Sequence, residues 1–395
     1  MWLTSLALVD VRSYPSLNCT FNPGVTLLVG RNGQGKTNVV EAIGYLATHS
    51  SHRVASDTPM IRIGAQQALI SGEVSTSERT VLLELAILQG RANKARVNGV
   101  PVPRFREALG YLSTVTFSPE DLGIVKGDPA ERRRFLDELV IQYRPRMAGV
   151  YSDYEHTLKQ RNALLKSGLS RPNGGQSSSS AFVNMLAVWD EKLVSLGAQL
   201  ITARLAMINQ LAPAVIATYS TLAQGAAVLD VSMAYRSSTN SANSVHDADG
   251  PRDALAELPE DEQSWVTLLS EALERARAQE RARGITVIGP HRDDLVLSLG
   301  PYPVRGFASQ GECWSLALAL RLACITVLSS GGESPVVILD DVFAELDSGR
   351  RTQLQEFLAD VDQVFITAAV EEDLPARLNA DRMDVSNGTV TRRAA

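Results

Sequence analysis

The spacing of apolar and polar residues changes along the chain, and each change marks a different element. Leu3, Leu6, Leu8, Val9 and Val11 predict a first strand, and a turn is expected at Pro15. Leu17 to Val29 predicts a second strand ending in the run Val25-Thr26-Leu27-Leu28-Val29. A continuous apolar strand that stops at glycine reads as buried sheet feeding a loop. After Thr37, the residues Val39, Val40, Ile43 and Leu46 recur at helical spacing. Residues 53–117 alternate apolar and polar in short runs, with Asn98-Gly99 as a tight-turn signal, and predict an antiparallel sheet beside the main one.

The middle of the chain is helical. Helices are expected over 119–142, 143–168 and 181–219, with Pro119 and Pro129 at positions a first turn tolerates. A serine-rich segment at 170–180 and a polar one at 237–253 predict loops, and a charged helix follows to Arg283. From Gly284 strands return. An apolar helix at Ser315–Leu328, a strand at Pro335–Asp341, a helix at Asp347–Leu358 and a strand at Gln363–Thr367 complete the pattern. Sheet-forming ends around a helical middle predict an α/β protein in three stretches: 1–128, 129–283 and 284–395.

Composition narrows the class. The 395 residues allow two or three domains at about 150 residues each. Hydrophobic residues at 45% and charged residues at 21% fit a globular chain. Cys19, Cys313 and Cys324 have no ligand spacing, so neither a zinc site nor a disulfide framework is expected. The start lacks a basic leader and no uncharged run reaches about 18 residues, so no membrane association and a cytoplasmic location are expected. The net charge of −6 excludes a uniformly basic nucleic-acid coat. Between Arg53 and Arg106, however, eight Arg/Lys face four Asp/Glu. Arg91, Lys94, Arg96, Arg104 and Arg106 flank a predicted hairpin there. They are the candidate contacts to DNA phosphates, with a solvated basic face as the alternative.

The strongest chemical signal is the octet Gly30-Arg31-Asn32-Gly33-Gln34-Gly35-Lys36-Thr37, between a strand and a helix. This is the phosphate-loop pattern: backbone N–H groups turn inward onto phosphate oxygens, Lys36 reaches the terminal phosphates and the Thr37 hydroxyl faces Mg²⁺. The apolar strand Val336-Val337-Ile338-Leu339-Asp340-Asp341 offers the acidic partner. Asp340 would hold the metal through water, and Asp341 would orient or deprotonate an attacking water. Lys36, Asp340 and Asp341 are therefore the candidate catalytic residues. A gap of more than 300 positions between Thr37 and Asp340 implies that a nucleotide-binding head is split by inserted structure.

Further blocks align with this reading. They are Val11-Arg12-Ser13-Tyr14, Phe117-Ser118-Pro119-Glu120-Asp121-Leu122, Arg132-Arg133-Arg134-Phe135-Leu136-Asp137, Gly289-Pro290-His291-Arg292-Asp293-Asp294, Ser309-Gln310-Gly311-Glu312, and Ala344-Glu345-Leu346-Asp347 after the acidic strand. In this order they resemble the RecF family of DNA replication and repair proteins, within the chromosome-maintenance ATPases related to transporter cassettes. The resemblance implies a cassette-type ATPase head of mixed and antiparallel sheet, with an inserted, mainly helical lobe. It implies a nucleotide sandwiched in an ATP-dependent homodimer, with Ser309, Gln310 and Gly311 reaching the γ-phosphate of the other subunit and Asp347 at the seam. It implies Mg²⁺ near Glu120 and a phosphate contact from Arg12, for which a surface arginine is the other reading. It further implies slow, DNA-linked hydrolysis, action with RecO and RecR, and help in loading RecA at single-strand gaps. Transporter cassettes instead carry glutamine at Glu120, glutamate at Asp341 and histidine at Thr367. His291 is open between a phosphate or DNA sensor and a structural turn residue. Adjacent positions on a helix diverge by about 100°, so Arg132 to Arg134 cannot share a face, and pairing with Asp137 or Glu138 is expected.

Overall fold

A computed structural model describes residues 1–169, 180–223, 230–239, 258–359, 361–370 and 379–393. The loops expected at 170–180 and 237–253 fall almost wholly outside these residues. The chain divides into two compact units. One comprises Met1–Leu122, Ala217–Gln224 and Trp314–Ala395, and the other Gly123–Ile216 and Gly225–Cys313. The strand Asp294–Leu299 and the segment Ser309–Gly311, expected with the C-terminal stretch, thus group with the helical residues.

The first unit holds two six-stranded sheets. One is antiparallel and runs Tyr14–Thr20, Trp2–Val11, Gln67–Ser75, Thr80–Leu88, Lys94–Val97, Val100–Pro101. Pro15 lies inside its first strand and not at a turn, which is tolerated because that strand is the sheet edge, where a missing N–H costs no ladder bond. The other sheet runs Thr389–Arg392, Ala380–Ser386, Gly24–Val29, Gln363–Ala368, Val336–Asp340, Thr114–Phe117. All its pairings are parallel except the terminal hairpin of 380–392. The single strand expected from Leu17 to Val29 is therefore two strands in two sheets, broken where Gly24 takes φ +93°.

Burial explains the apolar runs. Val336–Asp340 and Gln363–Ala368 are buried at every position, as parallel strands covered on both faces must be. The helix Lys36–Thr48 packs against the sheets and buries Val39, Val40, Ile43, Tyr45 and Leu46 in a core shared with Leu3, Leu6, Ile70, Leu83, Ile338 and Phe365.

The second unit carries the helices Pro129–Tyr143, Met147–Leu169 and Glu262–Arg283, most of Ser180–Leu222, and the small sheet Tyr302–Pro303, Asp294–Leu299, Val231–Arg236. Its largely apolar interior is crossed by several buried ion pairs. Arg204 is bidentate to Asp137 at 2.7 and 2.9 Å and donates to the Pro290 carbonyl. Arg161 pairs with Asp190 and Glu280 at 2.7 and 2.6 Å. Arg132 is bidentate to Asp294, Arg133 donates to the Asp293 carbonyl, and Arg134 pairs with Glu138 one turn on. His291 is structural: its Nδ1 shares a hydrogen bond of 2.8 Å with the Tyr154 hydroxyl, and burial pushes its pKa down to about 4.

Two helices, Ser180–Leu222 and Gln310–Ser329, are long and apolar enough to cross a membrane. In the second, 78% of the most apolar window is buried in the protein, as in a core helix. Cys19, Cys313 and Cys324 are free, buried thiols.

Candidate functional site

Three neighbouring parallel strands end together. Gln363–Ala368 lies between Gly24–Val29, which feeds the phosphate loop, and Val336–Asp340, with Thr367 in register with Leu28 on one side and Asp340 on the other. Ligands of open α/β sheets bind at such carboxyl ends. Here the fold brings the two separated motifs into contact.

The loop is shaped by two glycines. A Cβ on Gly30 would sit 2.2 Å from the Val385 carbonyl oxygen of the hairpin strand. Gly35 has φ +108°, and a Cβ there would meet the Tyr14 hydroxyl at 2.6 Å. That hydroxyl donates to the Gly35 carbonyl at 3.2 Å, and burial raises its pKa to about 12, so it remains a neutral donor. Lys36 is 4% exposed and its Nζ lies 2.7 Å from the Gly30 carbonyl, arched over the loop. Gln34 anchors the loop from outside, accepting from the Asn387 N–H at 2.8 Å. Arg31, Asn32 and Gly33 are exposed.

At the position expected for a metal, Thr37 Oγ1 donates to Asp340 Oδ1 at 3.1 Å. Thr367 Oγ1 donates to the same oxygen at 2.7 Å, lies 3.3 Å from Asp341 Oδ1, and accepts from the Asp341 N–H at 2.9 Å. Thr367 thus orients both aspartates where a transporter cassette would place histidine. Asp341 takes φ +53°, a left-handed conformation that aspartate tolerates better than most residues. Burial pushes the Asp340 carboxyl up, but His52, Thr367 and Thr37 outweigh it and hold the pKa below the ordinary value. A hydroxyl beside an ionised carboxylate, both hard oxygen donors, suits Mg²⁺.

The helix after the loop contributes a buried carboxylate. Glu41 accepts from Arg12 through Nε at 2.8 Å and Nη2 at 2.5 Å, from the Ser51 hydroxyl, and from Arg53 at 3.5 Å. The Arg12 guanidinium, expected at the nucleotide phosphates, is therefore held by Glu41 and by the Pro59 carbonyl at 2.9 Å. Sequence reasoning did not single out Glu41. Its signal was an acid inside the apolar run Val39-Val40-Glu41-Ala42-Ile43, where a buried charge needs partners.

Other expected residues lie apart from this cluster. Glu120 is exposed in the turn Pro119–Asp121, and no hydrogen bond or ion pair joins it to Thr37 or Asp340 among the described residues. Its neighbour Asp121 closes a capping box with Ser118 and pairs with Arg321. Ser309 and Gln310 are exposed in the second unit; Ser309 caps the helix that follows through Glu312 Oε2 at 2.7 Å, and Gln310 bonds Lys126. Gly311 lies on the first turn of that helix. Asp347 is the N-cap of Ser348–Leu358 and pairs with Arg350 at 2.6 Å. On the antiparallel sheet, Lys94 and Arg96 share the exposed face, with Arg96 opposite Glu84. Arg91 and Arg104 are exposed and Arg106 is half-buried.

Comparisons with known proteins show the family and the fold. The family model described as RecF/RecN/SMC N terminal domain matches residues 2–389. The chain is 50% identical to DNA replication and repair protein RecF of Frankia alni, over 99% of this chain and 100% of that protein. It is 49% identical to the RecF protein of Streptomyces avermitilis, again over 99% and 100%. A solved structure of the recombination mediator protein RecF-ATP in the RecFOR pathway superposes with a TM-score of 0.83 at 25% identity, covering 99% of each chain. An Smc head domain with an extended coiled coil from Pyrococcus furiosus shares the fold at TM-score 0.52 and 16% identity, covering 100% of this chain and 96% of that one.

Proposed function

The chain belongs to the RecF family of DNA replication and repair proteins, and on that premise we propose that it is an ATP-operated DNA-binding switch with slow ATPase activity. The observation that carries the reading is the hydroxyl–carboxylate pair of Thr37 and Asp340 at the mouth of the phosphate loop. The relative solved with ATP supports it.

In this reading the Gly30–Thr37 backbone and Lys36 bind the ATP phosphates, and Thr37 and Asp340 hold Mg²⁺, which neutralises phosphate charge. Asp341, turned by its left-handed backbone and held by Thr367, orients the attacking water. Aspartate is one methylene shorter than the glutamate of transporter cassettes, which fits slow turnover. Arg12, fixed by Glu41, stands ready to approach the phosphates. Glu120 joins the site only on closure.

ATP assembles a homodimer in which each nucleotide is capped by the partner's exposed Ser309-Gln310-Gly311 and by Asp347 at the seam. Loss of the γ-phosphate removes charge-assisted contacts and releases the pair. The head is formed by the two ends of the chain and interrupted by the helical lobe. The protein acts in the cytoplasm with RecO and RecR to help load RecA at single-strand gaps.

Lys94 and Arg96, with Arg91, Arg104 and Arg106, contact DNA through phosphates. Fluorescence anisotropy of a labelled gapped duplex, with and without ATP over a salt series, tests this function. We expect ATP-dependent binding that weakens steeply with salt, because phosphate contacts release counterions. Binding that ignores ATP, or a flat salt dependence, contradicts it.

A further inference from the structure

His52 lies outside every block used above. It sits in the turn after the phosphate-loop helix, and its Nε2 is buried with no hydrogen-bond partner. Buried polar atoms are nearly always paired, so an unpaired one needs a reason. This nitrogen faces the metal carboxylate: Nε2 is 3.9 Å from Asp340 Oδ2. That is too long for a direct hydrogen bond. The other carboxylate oxygen, Oδ1, already accepts from Thr37 and Thr367. Oδ2 and the imidazole nitrogen therefore face each other at a distance that an oxygen set to one side of the line between them can bridge.

The placement is enforced from both sides. Ser51 donates to the buried Glu41 carboxylate and accepts from the N–H groups of Arg53 at 3.0 Å and Val54 at 3.2 Å. Arg53 donates to Asn38, the residue after Thr37, at 3.2 Å. The turn bearing His52 is thus tied to the helix bearing Lys36 and Thr37.

We propose that His52 is a positioning residue of the nucleotide–metal site, holding with Asp340 a water of the metal's inner shell. Mg²⁺ keeps several of its waters when bound by few protein ligands. Such a water has its lone pair on the metal and donates both protons. One goes to Asp340 Oδ2 and the other to His52 Nε2. One oxygen making two hydrogen bonds of about 2.8 Å spans the observed gap. The imidazole thus fixes the metal's orientation through that water. This inference rests on the reading that Thr37 and Asp340 take Mg-ATP.

The test is titration of the full chain with a fluorescent N-methylanthraniloyl ATP, in Mg²⁺ and in EDTA. Wild type, His52→Ala, His52→Gln and Lys36→Met are compared. His52→Ala should weaken binding in Mg²⁺ about tenfold, as loss of an outer-shell partner does, and leave binding in EDTA unchanged. His52→Gln, whose amide oxygen also accepts, should recover most of the loss. Should the alanine chain fold poorly, His52→Phe keeps the ring volume without a nitrogen and carries the same comparison. Equal weakening in both conditions, or none in either, overturns the proposal. If wild type binds no better in Mg²⁺ than in EDTA, the metal reading itself fails, and it fails in the wild-type arm alone. Lys36→Met should lose binding in both conditions; retained binding would overturn the loop assignment on which the proposal rests.

Discussion

Thr37 Oγ1 donates a hydrogen bond of 3.1 Å to Asp340 Oδ1, joining residues 303 positions apart. The contact exists because Gln363–Ala368 enters the sheet between the two strands that carry them and aligns all three carboxyl ends. Removing either partner should spare the fold and damage the site. In Thr37→Val the side-chain shape is kept and one oxygen donor is lost. Calorimetric titration should show Mg-ATP affinity down by at least about tenfold with the thermal midpoint of the free protein little changed. Unaltered affinity would remove Thr37 from the metal site.

Gly30 and Gly33 should respond differently to alanine. At Gly30 the new Cβ meets a backbone carbonyl oxygen at 2.2 Å, so the hairpin strand must move. At Gly33 nothing lies within 4 Å, and only φ +82° is strained. Denaturant unfolding should show Gly30→Ala losing about 1–3 kcal/mol, and Gly33→Ala about 1 kcal/mol. The reverse order would contradict the close approach.

Glu41 is fully buried and holds Arg12 bidentately. Glu41→Ala leaves that guanidinium without its carboxylate, a change that costs about 3–5 kcal/mol when a buried pair is broken. Urea unfolding of the variant measures it. A loss below about 1 kcal/mol, the range of exposed pairs, would show that Glu41 is not the anchor of Arg12.

Acid should destabilise both units before most carboxylates titrate. Burial lowers the pKa of His49, packed on Phe105, from 6.5 to about 4. Burial also lowers that of His291 to about 4, with its hydrogen bond to the Thr286 carbonyl opposing and nearby arginines assisting. In each case the unfolded chain binds the proton more readily. The stability is present above pH 6.5 and is lost as pH falls from 6.5 towards 4. Each group contributes up to about 3 kcal/mol over that window. Urea midpoints at pH 7.5, 6 and 5 should fall progressively, and His49→Phe should flatten part of the fall. Midpoints constant down to pH 5 would contradict the burial of both rings.

What could be seen in the sequence was whatever depends on local order. The phosphate loop needs its glycines at fixed offsets, so Gly30 to Thr37 announce themselves, as does Asp340 at the end of an apolar strand. Arg134 and Glu138 were legible from helical spacing alone. What could not be seen depends on the neighbours that the fold supplies. Thr367 looked only like a missing histidine until the sheet order placed it between the loop and Asp340. The pairing of Arg12 with Glu41 was hidden because the two lie on different elements. The hairpin of 380–392 passed unnoticed because its strands are short and half-exposed, with weak alternation. Pro15 misled because an edge strand tolerates a residue that a central strand excludes.

The central claim is that nucleotide bound at this loop joins two copies of the chain. Light scattering of the protein alone, with ATP, and with ATP and DNA, for wild type and Lys36→Met, tests it most directly. The account predicts a doubling of mass with ATP, reinforced by DNA and abolished in Lys36→Met. A mass that does not change with ATP would contradict it.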